Sequence, residues 1–244
     1  SSEANEANHI KRDTPVMCVI GNPPYSVSST NNGQWIENLL YNYKEGLNER
    51  NIQPLSDDYI KFIRYGQHYI DKNGEGILAY IANNSFIDGV IHRQMRKSLL
   101  NTFDKLYILD LHGNARKKEV CPDGSQDENV FDIMQGVSIN IFVKNKKNNK
   151  SGTVFHKDLF GKRDFKYQFL HTENIKSIDW LQPKYRSPEF LFIKKNYALE
   201  VVYKQGFDLN KLFHLNASGI TTERDEVCIQ FNESKIKEVI NSLL

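Results

Sequence analysis

Apolar residues in this chain gather into short continuous runs, and the segments between them carry helical spacing. Residues 16–21, Val-Met-Cys-Val-Ile-Gly, read as a short buried strand that stops at Asn22-Pro23-Pro24-Tyr25. Residues 77–82 and 106–111 are almost continuously apolar, as strands covered on both faces are. The spacing predicts helices over 35–43, 59–70 and 90–100. In the second, Tyr59, Phe62, Ile63 and Ile70 recur at helical intervals behind Asp57 and Asp58, which suit a helix N-terminus. The third carries His92, Arg93, Arg96 and Lys97, read as its solvated side. Strands alternating with helices predict a parallel sheet with crossover helices. Residues 137–143 alternate and then turn apolar, and 153–156 follow a lysine-rich turn. These two are expected to pair as an antiparallel hairpin at the sheet edge.

From residue 164 the periodic patterns weaken, and aromatics alternate with prolines through Phe192. A strand over 227–231 and a helix over 233–244, with Ile236, Val239, Ile240 and Leu243 on one face, complete the pattern. The expected organisation is a polar, loose tail over 1–14, a sheet domain over 15–163, and a connector opening a second unit over 164–244.

Composition narrows the function classes only slightly. The chain has 244 residues, 39% of them hydrophobic and 25% charged, as in ordinary globular proteins. No apolar run is long enough to cross a bilayer. Cys18, Cys121 and Cys228 are far apart and odd in number, which points to reduced thiols and a cytoplasmic setting. The histidines and cysteines show no metal-ligand spacing, so no metal is expected. Net charge is only +2, but basic residues cluster. Lys144, Lys146, Lys147, Lys150, Lys157, Lys162, Arg163 and Lys166 share their span with only Asp158 and Asp164, and Arg116-Lys117-Lys118 forms a second knot. Either cluster suits phosphate contact, or simply a solvated turn.

The chemistry concentrates at Asn22-Pro23-Pro24-Tyr25. Two prolines cannot continue a sheet ladder, so they hold the Asn amide, the backbone carbonyls and the Tyr ring on a stiff turn at a strand end. Ligands of open α/β sheets bind at such ends. The Asn oxygen and a proline carbonyl accept hydrogen bonds, and the ring offers a stacking face, a combination suited to a planar amine. These residues resemble the Asn/Asp-Pro-Pro-Tyr/Phe tetrapeptide of the N6-adenine DNA methyltransferases. The likeness extends to Asn84-Ser85-Phe86-Ile87-Asp88-Gly89, Leu111-His112-Gly113-Asn114-Ala115-Arg116 and Phe155-His156-Lys157-Asp158-Leu159. It also includes Ser218-Gly219-Ile220-Thr221-Thr222-Glu223-Arg224-Asp225, which is similar to the segment opening a target-recognition region. Together these look like the methyltransferase module of large single-chain restriction-modification enzymes, the helicase-linked type ISP kind.

The resemblance implies an α/β fold: the C-terminal portion of a Rossmann-like S-adenosylmethionine-dependent methyltransferase with an antiparallel edge hairpin, followed by the start of a DNA target-recognition region. It implies site-specific N6-methylation of an adenine flipped from double-stranded DNA, with S-adenosylmethionine as methyl donor. Asn22, Pro23, Pro24 and Tyr25 would be catalytic, and Asn22 would also border the cofactor. Phe131 would stack on the base, and Ser85, Asn114, Arg116, Lys117 and Lys118 would contact DNA. Further domains of the same polypeptide would be partners. The family's Gly-rich cofactor loop precedes this tetrapeptide, whereas residues 1–20 here contain no glycine. Gly74-x-Gly76 comes before a strand rather than after one. The expectation is therefore a fragment that is inactive alone. Two alternatives stand beside this reading: a non-catalytic DNA-recognition module, and a methyltransferase for another planar amine or amide such as protein glutamine.

Overall fold

The computed structural model describes residues 2–25, 29–145, 151–207, 209–213 and 229–243. Five strands build one mixed sheet: β1 (Cys18–Gly21), β2 (Gly76–Asn83), β3 (Lys105–Asp110), β4 (Val137–Lys144) and β5 (Thr153–Asp158). Their spatial order is β1-β2-β4-β3-β5. β1 pairs parallel with β2, and β3 with β5, while β4 runs antiparallel to both of its neighbours. The expected α/β class holds, but its edge hairpin does not. β4 lies inside the sheet and β5 on the far side of β3. β3 carries Leu106, Ile108 and Leu109, all buried, and pairing along both its edges satisfies its backbone. The chain passes over the start of β3: the Asn145 N–H donates to the Asp104 carboxylate, and the Thr153 N–H to the Asp104 carbonyl.

Side-chain alternation assigns the two faces. Leu78, Tyr80 and Ala82 of β2, Leu106 and Ile108 of β3 and Phe142 of β4 enter the larger core. There they meet α2 (Gln34–Lys44), α3 (Asp58–Asn73) and α4 (Arg93–Thr102). Leu109 and Val137 enter a second core, with Ile81 and Ile139 packed against it. That core is covered by Phe169 and Leu170 of α5 (Arg163–Thr172) and by Trp180. α5 falls where the apolar periodicity weakens, because the buried position on its inner face is a lysine, Lys166. The chain divides into two compact units, the first ending at Lys195 and the second beginning at Asn196.

Several local expectations change. The polar start is α1 (Ser2–Asp13) rather than a loose tail. β1 is not buried: it is an edge strand, with Ile20 80% exposed and Met17, just ahead of it, 51% exposed. A continuous apolar run needs cover on both faces, and among the described residues nothing pairs with the outer edge of β1. Arg96 is not solvated but fully buried. Its guanidinium donates to the carbonyls of Phe86, Gly89, Glu189 and Phe190, tying the exit of β2 to the segment at 189–190. In the second unit Glu233–Leu243 is helical as expected, and residues 229–231 form no strand. Residues 146–150 and 214–228, which include the lysine-rich turn, the Ser218–Asp225 stretch and Cys228, lie outside the described residues.

Lys166 is not a phosphate contact either. Its side chain and that of Asp127 are 0% exposed and 2.7 Å apart. The ammonium also donates to the carbonyls of Leu111 (2.7 Å) and Glu128 (2.6 Å). Asp127 accepts from the Gly113 N–H (2.7 Å) and the Gly161 N–H (2.8 Å). Removing one partner of a buried ion pair strands the other. Lys166→Met should therefore cost about 3–5 kcal/mol of stability, and the Lys166→Met/Asp127→Asn pair less than the sum of its singles. Chemical denaturation of the three variants measures both effects.

Candidate functional site at the strand ends

β1, β2, β3 and β5 all run in one direction, so their exits share one edge of the sheet. Every described site residue expected from sequence lies on a turn or loop leaving that edge. Asn22 follows β1 and is exposed, Pro23 is buried and Pro24 exposed. Tyr25 is half-buried, and its hydroxyl donates to Asn22 Oδ1 at 3.3 Å. Burial pushes the Tyr25 hydroxyl up to about 12, so it remains a donor. Its ring packs against the second core, the same apolar cluster that receives Phe131. The structure thus brings Tyr25 and Phe131, more than one hundred positions apart in sequence, onto one hydrophobic seat.

The chain leaving this turn is held by α3. Lys61, 1% exposed, donates to the Asn31 carbonyl (2.6 Å), Asn32 Oδ1 (3.0 Å) and Ser29 Oγ (3.1 Å). It also pairs with Glu37 at 3.3 Å. A buried ammonium must be fully paired, so the loop can shift only if Lys61 loses these partners.

At the exit of β2, Asn84 is structural rather than ligand-facing: its amide donates to Asp110 Oδ1 at 2.9 Å and links the ends of β2 and β3. Ser85 Oγ donates to Asn83 Oδ1 at 2.7 Å. Ser85, Asn114, Arg116 and Lys117 line one cavity of about 380 Å³. Asn114 also borders a second cavity of about 470 Å³, shared with Lys118, Phe131 and Arg163. Four of the five DNA-contact candidates therefore converge, and Lys118 faces the neighbouring hollow. Arg163, from the other basic cluster, instead pairs with Asp132 at 2.7 Å.

The sequence did not single out the ion network beneath these turns. His112, at φ 51°, places Nδ1 2.9 Å from Glu119 and Nε2 2.8 Å from Asp158, with Phe160 stacked on its ring at 3.7 Å. Asp110 Oδ1 accepts from the His112 N–H at 3.0 Å. Asp110, His112 and Asp158 hold ligand atoms within 4.8 Å of one another, a grouping able to take a metal ion. Both ring nitrogens already meet carboxylates, however, so the cluster reads as an imidazolium held between acids. Against a desolvation penalty that lowers it, hydrogen bonds to Asp158 and Glu119 raise the His112 pKa to about 10. Asp158 and Glu119 are held below the usual carboxylate range by the same contacts, against their own burial.

Residues 2–116 match the family model of the Eco57I restriction-modification methylase. The chain is similar in structure to the DNA-bound ATP-dependent Type ISP restriction-modification enzyme LlaBIII, at 24% identity and TM-score 0.74 over 98% of this chain and 17% of that one. It is similar to DrdV in its DNA complex, at 24% identity and TM-score 0.67 over 79% of this chain and 20% of that one. A nuclease-deletion mutant of the Type ISP enzyme LlaGI with a DNA substrate mimic matches at 24% identity and TM-score 0.68, over 82% of this chain and 17% of that one. This chain thus spans at most 20% of their length. No curated protein matches it. The family match covers residues 2–116, just under half of the chain, and the solved structures share its mixed α/β fold. No described helix is long and apolar enough to cross a membrane.

The His112 network gives stability a pH signature. Folding raises its pKa from 6.5 to about 10, so its contribution is complete below about 6.5 and is lost as pH rises through about 10. Denaturation midpoints of the unmodified chain and of His112→Gln, measured from pH 6 to 11, should converge towards the alkaline end. A gap that persists above pH 10 would mean that packing against Phe160, not charge, carries the site.

Proposed function

We propose that this methylase-type module supplies the base-amine clamp of a DNA adenine N6-methyltransferase belonging to a restriction-modification enzyme. The observation that carries this reading is the Asn22–Tyr25 turn. The Tyr25 hydroxyl fixes the Asn22 amide, and its ring shares an apolar seat with Phe131. An adenine extruded from the duplex presents a flat ring and an N6 amino group. The ring would stack on Tyr25 with Phe131 as a second aromatic face, and such stacking offsets part of the few kcal/mol that unstacking costs. Asn22 Oδ1 and the Pro23 carbonyl would accept the two N6 hydrogens. That draws the nitrogen lone pair out of conjugation with the ring and directs it towards the methyl donor. Orientation and fixed dipoles account for the rate gain, since they are set before the reaction begins.

S-adenosylmethionine, when bound, supplies an electrophilic methyl group. The residues of this chain fit it only in part. Asn22 lies at the open edge of β1, but residues 1–20 offer no glycine turn to cradle the amino-acid end of the cofactor. The exposed Ile20 and the outer edge of β1, unpaired among the described residues, support a reading in which another segment of a longer polypeptide completes both sheet and cofactor site. The Arg116-Lys117-Lys118 turn would grip phosphates of double-stranded DNA beside the clamp, a contact that weakens with salt.

In the intact parent enzyme, Asn22→Ala should abolish adenine methylation of duplex oligonucleotides, and Tyr25→Ala or Phe131→Ala should weaken binding of DNA with an extruded base. The isolated 244-residue chain should show no methyl transfer. Methylated adenine from Asn22→Ala at near-normal rates would overturn the assignment, as would exclusive methylation of a glutamine side chain.

A further inference from the structure

The cavity of about 380 Å³ at the exits of β2 and β3 is not part of the amide clamp, because neither Asn22 nor Tyr25 lines it. Its volume is in the range of small-ligand sites, about 300–1,000 Å³. Two kinds of wall meet there. On the inner side lie Tyr59, Asn83 and His92, each less than a tenth exposed. His92 Nε2 is 3.5 Å from the Tyr59 hydroxyl, and its Nδ1 is buried with no hydrogen-bond partner. Burial, with Arg96 nearby, holds the His92 pKa down to about 3, so the ring is neutral, and burial keeps the Tyr59 hydroxyl protonated. Asn83 Oδ1 is occupied by Ser85, which leaves the amide NH₂ of Asn83 as a donor. At the outer side Arg116 and Lys117 stand exposed on a turn that Asn114 Oδ1 fixes through the Lys117 N–H.

An inner wall of neutral donors and acceptors with one carboxylate, and two cations outside, do not match a bare anion. Asp57, which also lines the cavity and caps α3, would repel an anion that reached the inner wall, but would accept from an amino group. The complementary ligand has a planar hydrogen-bonding ring at one end and a phosphate at the other. A base within a duplex cannot enter a concave site, so the nucleotide must be unpaired. We infer that this cavity is a second nucleotide pocket, holding an unpaired DNA nucleotide other than the one at Asn22, with its base inside and its phosphate on Arg116 and Lys117. The inference rests on the DNA reading above and adds a second site of contact to it.

Nucleotide titration of the 244-residue chain tests this without cofactor or methyl transfer. The probes are dAMP, dCMP, TMP, 2-deoxyribose 5-phosphate and inorganic phosphate, followed by calorimetry and by the His92 imidazole resonances. A base bearing an amino group, in dAMP or dCMP, should bind about tenfold more tightly than 2-deoxyribose 5-phosphate, the scale of one well-made base-edge contact, and should shift His92. Arg116→Gln with Lys117→Gln should weaken every phosphorylated probe alike. His92→Phe should remove the preference for the base and spare the sugar phosphate. Gln135→Leu, at a half-exposed wall position, should reduce that preference without threatening the fold. Equal affinity for all five probes, shifts at Tyr25 in place of His92, or no binding would each overturn the inference. Failure here leaves the Asn22 clamp standing, and failure of the parent enzyme to methylate DNA leaves a nucleotide-binding result standing.

Discussion

The buried pair of Lys166 and Asp127 organises the functional edge of the molecule. Through it α5 reaches the carbonyl after β3, the segment at 127–128 and the N–H groups of Gly113 and Gly161, so both ends of the long β3–β4 connection and the turn after β5 are fixed at one point. That β3–β4 connection carries Asn114, Arg116 and Phe131. The Gly113 amide has to approach Asp127 closely. At φ 80°, with a Cβ that would sit 2.4 Å from the Asn129 backbone, only glycine permits that approach. The His112 network repeats the arrangement at the neighbouring residue, joining the exits of β3 and β5 to Glu119. A site built on loops gains precision in this way: internal charges replace the sheet hydrogen bonds that end at the strand termini.

The strongly apolar strands were legible. Residues 77–82 and 106–111 have few alternatives to burial, and β2 and β3 occupy them. The Pro-Pro turn was legible because proline removes the ladder by its own geometry. The place of β4 was not, since alternation records a half-covered strand but not which neighbours cover it. α5 was missed because a buried lysine breaks its apolar stripe. β1 misled in the opposite direction: its composition asks for cover that the described residues do not provide.

Charge was the least readable property. Lys61, Arg96 and Lys166 look like surface cations in sequence, yet each is interior and holds backbone carbonyls. Each acts as a multidentate staple where irregular chain would otherwise bury unpaired oxygens. The cationic surface left for a polyanion is therefore smaller than the residue count suggests, and at the candidate site it narrows to the Arg116–Lys118 turn. A small net charge is compatible with nucleic-acid contact when the contacting cations are few and placed.

The outer edge of β1 has a consequence for handling the molecule. An edge that is unpaired among the described residues, with Ile20 exposed and no lysine or internal proline to blunt it, is a template for strand pairing between copies. Left uncovered, such an edge can take up a strand from another copy or any peptide able to lie along residues 18–21. The turn that places Asn22 begins where that edge ends, so self-association along β1 would crowd the clamp.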